Sequence, residues 1–199
     1  MLFRSLGNGT AGAADGDDVA HADGALEKED EAGDEVRDDL LHAEGGRAEI
    51  NDAVAAARQA GLDAHGIDID PETVKAAQNA FGLELFETAA IEQYAASGRT
   101  ADILYTSEVI EHTPQPERFA SAMERIVKPG GLLFLTTPAA DHWAVPRKFT
   151  EWNEAKPPIH LILYSRDGLR RLLARHGFGA FRFEFKLKPR ITLHAKRLG

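Results

Sequence analysis

The stretch ADILYTSEVIEHTPQPERFASAMERIVKPGGLLFLTTP, residues 101–138, carries the pattern that decides the fold. Residues 101–106 are apolar enough for a strand buried on both faces, and an acidic turn follows them. Residues 116–127 are predicted to form an amphipathic helix, which Pro129 ends before a second apolar strand over residues 132–136. Strand, helix and strand in this order predict a parallel α/β sheet of the nucleotide-binding kind.

The rest of the chain repeats this alternation from Ile50 onward. Asp52 is predicted to cap one helix, Pro71 to stand in the first turn of the next, and Ser165 to cap a later one that Gly177 ends. The predicted elements are a helix over residues 52–60, a strand over 64–69, a helix over 72–80, a strand over 83–86, a helix over 91–96, a helix over 166–176 and a hairpin of residues 181–188 and 191–196.

These elements predict an α/β, Rossmann-like three-layer sandwich around a mostly parallel sheet, with an antiparallel hairpin at the carboxyl terminus. Its first strand is expected to be weak or to come from residues 40–43. Residues 1–44 are predicted to be an acidic, low-complexity segment that is disordered or foreign to the fold, and residues 45–199 are predicted to be the domain. Residues 1–5 resemble translated adapter sequence and are left out of the predicted fold.

Composition narrows the class of protein. The chain has 199 residues, 43% of them hydrophobic, which is enough for one domain with a sizeable core. It has no cysteine, which excludes disulfides, thiolate metal sites and a cysteine nucleophile. No apolar run approaches the roughly 20 residues that cross a bilayer, and no secretory leader pattern opens the chain. We therefore expect a cytoplasmic protein with no membrane partner.

The formal charge of −9 is confined to one segment. Residues 14–44 hold 13 acidic side chains against Lys28 and Arg37, a local charge of −11, so the remainder of the chain carries +2. The charge of the folded part therefore gives no reason to expect a nucleic-acid partner.

Three motifs together resemble the class I S-adenosylmethionine-dependent methyltransferases. They are GLDAHGIDIDPE at residues 61–72, EVIEH at residues 108–112 and KPGG at residues 128–131. EVIEH is similar to the ubiquinone-biosynthesis O-methyltransferase type. The resemblance implies S-adenosylmethionine as cofactor and methyl transfer to an oxygen, nitrogen or carbon of a small-molecule substrate.

The resemblance also implies a cofactor site. Asp68 would accept hydrogen bonds from the ribose hydroxyls, as the acid at the end of the second strand does in dinucleotide-binding folds. The alternative is that Asp68 only starts a turn and caps the helix of Pro71, a role that Asp70 can fill. The other residues implied in cofactor binding are Gly46, Ile69, Ala90, Ile91, Ser107 and Glu108.

His112 and Glu111 are the candidate catalytic residues. An imidazole titrates near neutral pH and suits a general base for a hydroxyl substrate, whereas the alternative is local capping and pairing at a helix start. Glu108, Glu111, His112 and His160 also resemble the magnesium site of small-RNA terminal 2′-O-methyltransferases, which gives an alternative function. The segment PPIHLILYS at residues 157–165 is closer to the small-molecule branch, so no metal is predicted.

The glycine-rich loop of these enzymes is missing. The best register places residues 40–49 on the loop, where Gly46 alone matches a glycine position. Three explanations stay open: an impaired or non-catalytic relic, a domain joined to foreign upstream sequence, which is preferred, and a divergent loop. Trp143, Trp152 and the loop of Pro157 and Pro158 are expected to cover the substrate or to pack in the ordinary way.

Overall fold

The computed structural model of the chain describes residues 2–4, 46–81 and 85–199. Its strands are β1 (Leu2–Arg4), β2 (Asp63–Asp68), β3 (Phe86–Thr88), β4 (Ala101–Ser107), β5 (Val127–Pro138), β6 (Phe178–Phe183) and β7 (Arg190–Arg197). Its α-helices are α1 (Gly46–Gln59), α2 (Pro71–Phe81), α3 (Ile91–Ala96), α4 (Pro116–Ile126) and α5 (Arg166–Arg175), with short 3-10 helices at Ile110–His112 and Phe149–Glu151. No helix in these three stretches combines the length and apolarity needed to cross a membrane.

The described strands form one seven-stranded sheet in the order β3-β2-β1-β4-β5-β7-β6. β2 pairs in parallel with β3, and β4 pairs in parallel with β5. β1 and β7 are antiparallel to their neighbours, so the other five strands run in one direction. The predicted Rossmann-like α/β sheet with its antiparallel carboxyl-terminal hairpin is confirmed.

Alternating side chains of the central strands separate two hydrophobic cores. Leu104 of β4 lies in a core with helices α3, α4 and α5, whereas Tyr105, the next residue, lies in a core with α1 and α2. The ring of Tyr105 stacks on that of Phe134 of β5 at 4.9 Å between centroids. Because successive strand residues point to opposite faces, the helices cover the sheet on both sides and make the predicted three layers.

The opening residues belong to the sheet, although the predicted fold did not include them. Leu2–Arg4 lies between β2 and β4 and is antiparallel to both, with Phe3 opposite Ala64 and Ile103. Residues 40–43, the other expected source of a first strand, lie outside the described residues, and so does most of the segment 1–44. The predicted domain boundary at residues 44 and 45 stays a prediction.

The KPGG corner is a bulge inside β5, whereas the sequence predicted a turn that precedes the strand. Val127 pairs with Ala101 and Leu132 pairs with Ile103, so the intervening residues are extra on the β5 side. Gly130 takes a φ of +81°, and a Cβ on Gly131 would lie 2.6 Å from the carbonyl oxygen of Asp102. Gly130 is therefore required by its positive φ, and Gly131 is required because a Cβ does not fit there.

The carboxyl-terminal hairpin is shifted relative to its prediction. β6 begins at Phe178 and ends at Phe183, and residues 184–189 connect it to β7 without strand pairing. The apolar–charged alternation of residues 181–188 continues past the strand, which leaves Phe185 and Leu187 exposed. The Ser165 cap of α5 is confirmed, since its hydroxyl accepts the Gly168 N–H at 3.1 Å.

Candidate active site

A cavity of about 340 Å³ opens at the carboxyl ends of β2, β3 and β4. Parallel strands all end at the same edge of the sheet, which brings together residues far apart in the chain. The lining residues are Ile67, Asp68, Ile69, Ala89, Ala90, Ile91, Glu92, Leu104, Tyr105, Thr106, Ser107, Val109, His112, Thr113, Pro114 and Phe119.

Asp68 lies on the cavity wall without serving as the helix cap. Its Oδ1 accepts the backbone N–H of Asp70 at 2.8 Å. Asp70 caps α2, because its two carboxylate oxygens accept the Glu72 N–H at 3.2 Å and the Thr73 hydroxyl at 2.6 Å. Among the described residues, Oδ2 of Asp68 has no donor, so this oxygen is available to a ligand in the cavity.

Apolar side chains flank this carboxylate. Ile69 follows Asp68 directly and is 75% exposed, so its side chain is accessible to a ligand in the cavity. Ala89, Ala90 and Ile91 form the facing wall between β3 and α3. The small alanine side chains keep that wall open, and the cavity is therefore an apolar slot with one carboxylate at its edge.

Ser107 and Glu108 end β4 in a hydrogen-bonded group that includes Thr136 of β5. The hydroxyls of Ser107 and Thr136 lie 2.8 Å apart, and Thr136 Oγ1 donates to Glu108 Oε1 at 3.0 Å. Glu108 has a φ of +52°, so the chain turns sharply at this point. Its carboxylate faces Arg190 at 3.5 Å and is absent from the cavity lining, whereas Ser107 lines the cavity.

Glu111 is a fully buried carboxyl group, 0% exposed. Thr137 donates to its Oε2 at 2.8 Å, while Oε1 has no hydrogen-bond partner in the described part of the chain. Burial, and then the charge of Glu108, raise the pKa of the Glu111 carboxyl to about 7. Nearby, burial and the Glu111 charge raise the pKa of Tyr164 to about 12, and the Tyr164 hydroxyl is likewise without a partner.

His112 connects the cavity to this buried group. It lines the cavity, and its Nε2 lies 3.9 Å from Oε1 of Glu111. Its Nδ1 is 2.9 Å from the carbonyl oxygen of Ile159, and its ring lies 4.8 Å from that of His160. The backbone oxygen of Glu111 accepts the N–H groups of Leu161 and Ile162, which holds this loop beside the short helix Ile110–His112.

The geometry of the site agrees with the family and the relatives that this chain resembles. The methyltransferase domain family matches residues 27–180, most of the chain and well upstream of the motifs. The chain is a member of this family. Ubiquinone biosynthesis O-methyltransferase of Brucella ovis is 36% identical to this methyltransferase domain over 77 residues, which are 39% of this chain and 31% of that enzyme. The match therefore spans less than a third of the length of the curated relative.

Solved structures show the same fold. A methyltransferase of Archaeoglobus fulgidus superposes with a TM-score of 0.63 at 16% identity, over 85% of this chain and 94% of that one. One from Thermotoga maritima gives a TM-score of 0.56 at 14% identity, over 66% of this chain and 72% of that one. Both are described as dependent on S-adenosylmethionine, and the superpositions show that this methyltransferase domain has the same fold as they do.

The cavity fits the adenosyl part of that cofactor. The free oxygen of Asp68 suits ribose hydroxyls, which are donors, and Ile69 and Ile91 offer flat apolar contacts to an adenine ring. Ser107 lines the same cavity at the end of β4. Of the predicted glycine loop, residues 40–45 lie outside the described residues and Gly46 is the first residue of α1.

The structure brings most of the predicted residues together. Asp68, Ile69, Ala90, Ile91 and Ser107 line one cavity with His112, whereas Glu108 and Glu111 are not among its lining residues in the described part of the chain. The predicted role of Gly46 falls on a residue whose surroundings the structure does not describe. Of the two tryptophans expected over the substrate, Trp152 is buried against Phe149 and Trp143 is 74% exposed.

Sequence reasoning missed three parts of the site. Thr113 and Pro114 line the cavity, and no motif marks them. Thr137 is the hydrogen-bond partner of Glu111. Thr137 is the last residue but one of β5, and its contact with Glu111 depends on the register of β5 against β4, which no motif marks.

Proposed function

We propose that this chain binds S-adenosylmethionine in the cavity and that its activity is methyl transfer to a hydroxyl group of a small molecule. One observation supports the cofactor site above all: Asp70 caps α2, so that Asp68 keeps a carboxylate oxygen for the cavity. The name of the Brucella ovis relative, an O-methyltransferase, favours an oxygen acceptor.

The lining residues contact different parts of the cofactor, according to their positions in the cavity. Asp68 binds the ribose, Ile69 and Ile91 pack on the adenine, and Ser107 stands near the methionine side. The bound cofactor supplies a methyl group on a positively charged sulfur. The protein contributes mainly by positioning the acceptor and the cofactor. The displacement at the methyl carbon needs the acceptor oxygen in line with the sulfur–carbon bond that breaks.

His112 acts on the acceptor, and the buried Glu111 supports His112 from behind. His112 lines the cavity beyond Ser107, next to Thr113 and Pro114, and it is 3.9 Å from the buried carboxyl of Glu111. An acceptor hydroxyl that lies against His112 is within reach of the imidazole, which can take the hydroxyl proton as a general base. An acceptor of modest size is favoured because the cavity is about 340 Å³ and must also hold the cofactor.

The test is methyl transfer from S-adenosylmethionine with a tritiated methyl group to phenol and catechol, between pH 5.5 and 9. His112→Gln is expected to lower kcat about 100-fold or more while the affinity for S-adenosylhomocysteine stays unchanged. His65→Gln, at a half-exposed histidine of β2, is the matched control and should keep full activity. No transfer to either phenol by the wild-type chain, or equal activity of His112→Gln, would overturn the proposed function.

A further inference from the structure

The described residues that line the cavity include acidic side chains and no strongly basic ones. Asp68 and Glu92 are the two carboxylates among them, and none of them is a lysine or an arginine. Their one imidazole, that of His112, is uncharged whenever it can take a proton as a base. Most of the other lining side chains are apolar. A charged ligand therefore meets two carboxylates in surroundings of low polarity, where charges interact more strongly than in water.

Glu92 is a half-buried residue in the first turn of α3. Its carboxylate has no hydrogen-bond or ion-pair partner within the described part of the chain. Glu87 on the preceding strand differs, because both of its carboxylate oxygens accept hydrogen bonds from Arg99, at 2.7 and 2.9 Å. The negative charge of Glu87 is thus offset by a cation, whereas no described cation offsets that of Glu92 on the cavity wall.

A further acidic group lies behind His112, at the acceptor end of the cavity. Glu111 Oε1 is 3.9 Å from His112 Nε2, is buried and has no donor among the described residues. Burial, and then the charge of Glu108, raise the pKa of the Glu111 carboxyl to about 7. A carboxylate on an acceptor that lies against His112 would meet the charges of these same two glutamates. Its ionised form is therefore disfavoured at this end of the cavity.

Two arginines that come close to the lining residues have partners of their own. Arg190 is 3.5 Å from Glu108, the residue that follows Ser107. Arg118, which precedes Phe119 on α4, is exposed and donates to the side chain of Gln115 at 2.9 Å. Neither arginine lines the cavity. A buried anion is costly unless a cation or several hydrogen-bond donors face it, so an anionic acceptor finds no compensating cation among the described lining residues.

We propose that the cavity selects its acceptor by charge. It accepts phenols whose other substituents are uncharged or cationic, and it rejects phenols that carry a carboxylate or a phosphate. This selectivity rests on the proposed function, because it assumes that the acceptor lies against His112. Glu92 and Glu111 set the selectivity without touching the acceptor, since a charge acts over several ångströms in a cavity of about 340 Å³.

Three phenols of similar size and different charge test the selectivity by binding alone. At pH 8 tyramine is cationic, 4-ethylphenol is neutral and 4-hydroxyphenylacetate is anionic. Each is titrated in a calorimeter into the full chain saturated with S-adenosylhomocysteine. We expect 4-ethylphenol to bind about 10-fold or more tightly than 4-hydroxyphenylacetate, and tyramine at least as tightly as 4-ethylphenol. Tyramine that binds as weakly as the anion would show that the apolar lining rejects charge of either sign, which would overturn selection by the carboxylates.

Variants assign the selectivity to residues. Glu92→Gln and Glu111→Gln are each expected to strengthen the binding of 4-hydroxyphenylacetate relative to 4-ethylphenol by about 3-fold or more, with circular dichroism confirming the fold. Glu92→Gln suffices if Glu111→Gln does not fold. Glu72→Gln is the matched control, since Glu72 is an exposed glutamate of α2 outside the cavity lining, and it should keep the wild-type ratio. A ratio that Glu92→Gln leaves unchanged, or wild-type binding of the anion as tight as that of 4-ethylphenol, would overturn the selectivity.

The two proposals fail separately. If 4-ethylphenol and tyramine bind in the expected order but receive no methyl group, the proposed function is refuted and the charge selectivity of the cavity stands. If 4-hydroxyphenylacetate receives a methyl group with a kcat/KM similar to that of 4-ethylphenol, methyl transfer stands and the charge selectivity is refuted. A chain that binds S-adenosylhomocysteine but none of the three phenols would refute the charge selectivity as well.

Discussion

The hydroxyl oxygens of Ser107 and Thr136 lie 2.8 Å apart where β4 and β5 end side by side. The two residues are partners in the parallel ladder, and the Thr136 hydroxyl donates a hydrogen bond to Glu108 Oε1 at 3.0 Å. Ser107 is therefore the donor to Thr136. These hydrogen bonds connect Ser107, which lines the cavity, to Glu108 in the acidic turn at residues 108–112.

Thr136→Val removes both hydrogen bonds with little change in shape. We expect it to lower the free energy of unfolding by about 1–3 kcal/mol, since one of the bonds involves a carboxylate. In a double-mutant cycle with Ser107→Ala, measured by urea unfolding, the coupling between the two positions should be about 1 kcal/mol. Purely additive effects would show that the two hydroxyls do not interact.

The two glycines of the KPGG corner should respond differently to alanine. At Gly131 an added Cβ would meet the Asp102 carbonyl oxygen at 2.6 Å, a backbone atom that cannot move away freely. At Gly130 the Cβ has open space, and the cost arises only from the φ of +81°. Gly131→Ala is therefore expected to lower the melting temperature more than Gly130→Ala, which should cost about 1–2 kcal/mol. Equal losses would contradict this account of the bulge.

Gly66 allows β3 to approach β2 beside the cavity. A Cβ at this position would lie 2.4 Å from a ring carbon of the buried Phe86, which faces it across the parallel pair. Gly66→Ala should therefore destabilise the chain by about 1–3 kcal/mol through overpacking. Adding Phe86→Leu should recover part of that loss, as measured by thermal unfolding. A double variant that is no more stable than Gly66→Ala would argue against a clash with this ring.

Glu117 links α4 to the end of α5 through Arg175 and through His176, whose Nε2 is 2.7 Å away. The hydrogen bonds from His176 and Arg175 hold the pKa of Glu117 below the usual 4.5. A lowered carboxyl pKa stabilises the folded chain above pH 4.5, and this contribution is lost as the pH falls through the folded-state value. Glu117→Gln should thus lower the melting temperature at pH 7 by an amount that corresponds to at most about 1 kcal/mol, because the group is exposed. The difference should shrink below pH 4.5 and in 1 M salt.

The sequence alone predicted that two strand ends meet at the site, because parallel strands end at the same edge of a sheet. Asp68 and Ser107 each end an apolar strand, and parallel strands end at one edge, so their presence in one cavity could be expected before any coordinates. The sequence left the cap of α2 open between Asp68 and Asp70, and the hydrogen bonds of the structure assign it to Asp70.

Contacts that depend on strand register could not be read from the sequence. Thr137 reaches Glu111 because β5 pairs with β4 in one register, over a separation of 26 residues. Leu2–Arg4 has too few residues to predict a strand, and it is held there by pairing with β2 and β4. The resemblance already grouped His160 with Glu111 and His112, and the structure shows how it reaches them, since Leu161 and Ile162 donate hydrogen bonds to the Glu111 backbone oxygen.

Calorimetry with S-adenosylhomocysteine tests the central claim most directly, that the edge of the sheet at Asp68 is a cofactor site. The wild-type chain should bind one molecule, and Asp68→Asn should weaken binding at least 10-fold, about 1.4 kcal/mol, without loss of fold. Asp63→Asn, at the opposite end of the same strand, is the control and should bind as the wild type does. A folded chain that binds nothing at millimolar S-adenosylhomocysteine, or binding that is indifferent to Asp68→Asn, would contradict the claim.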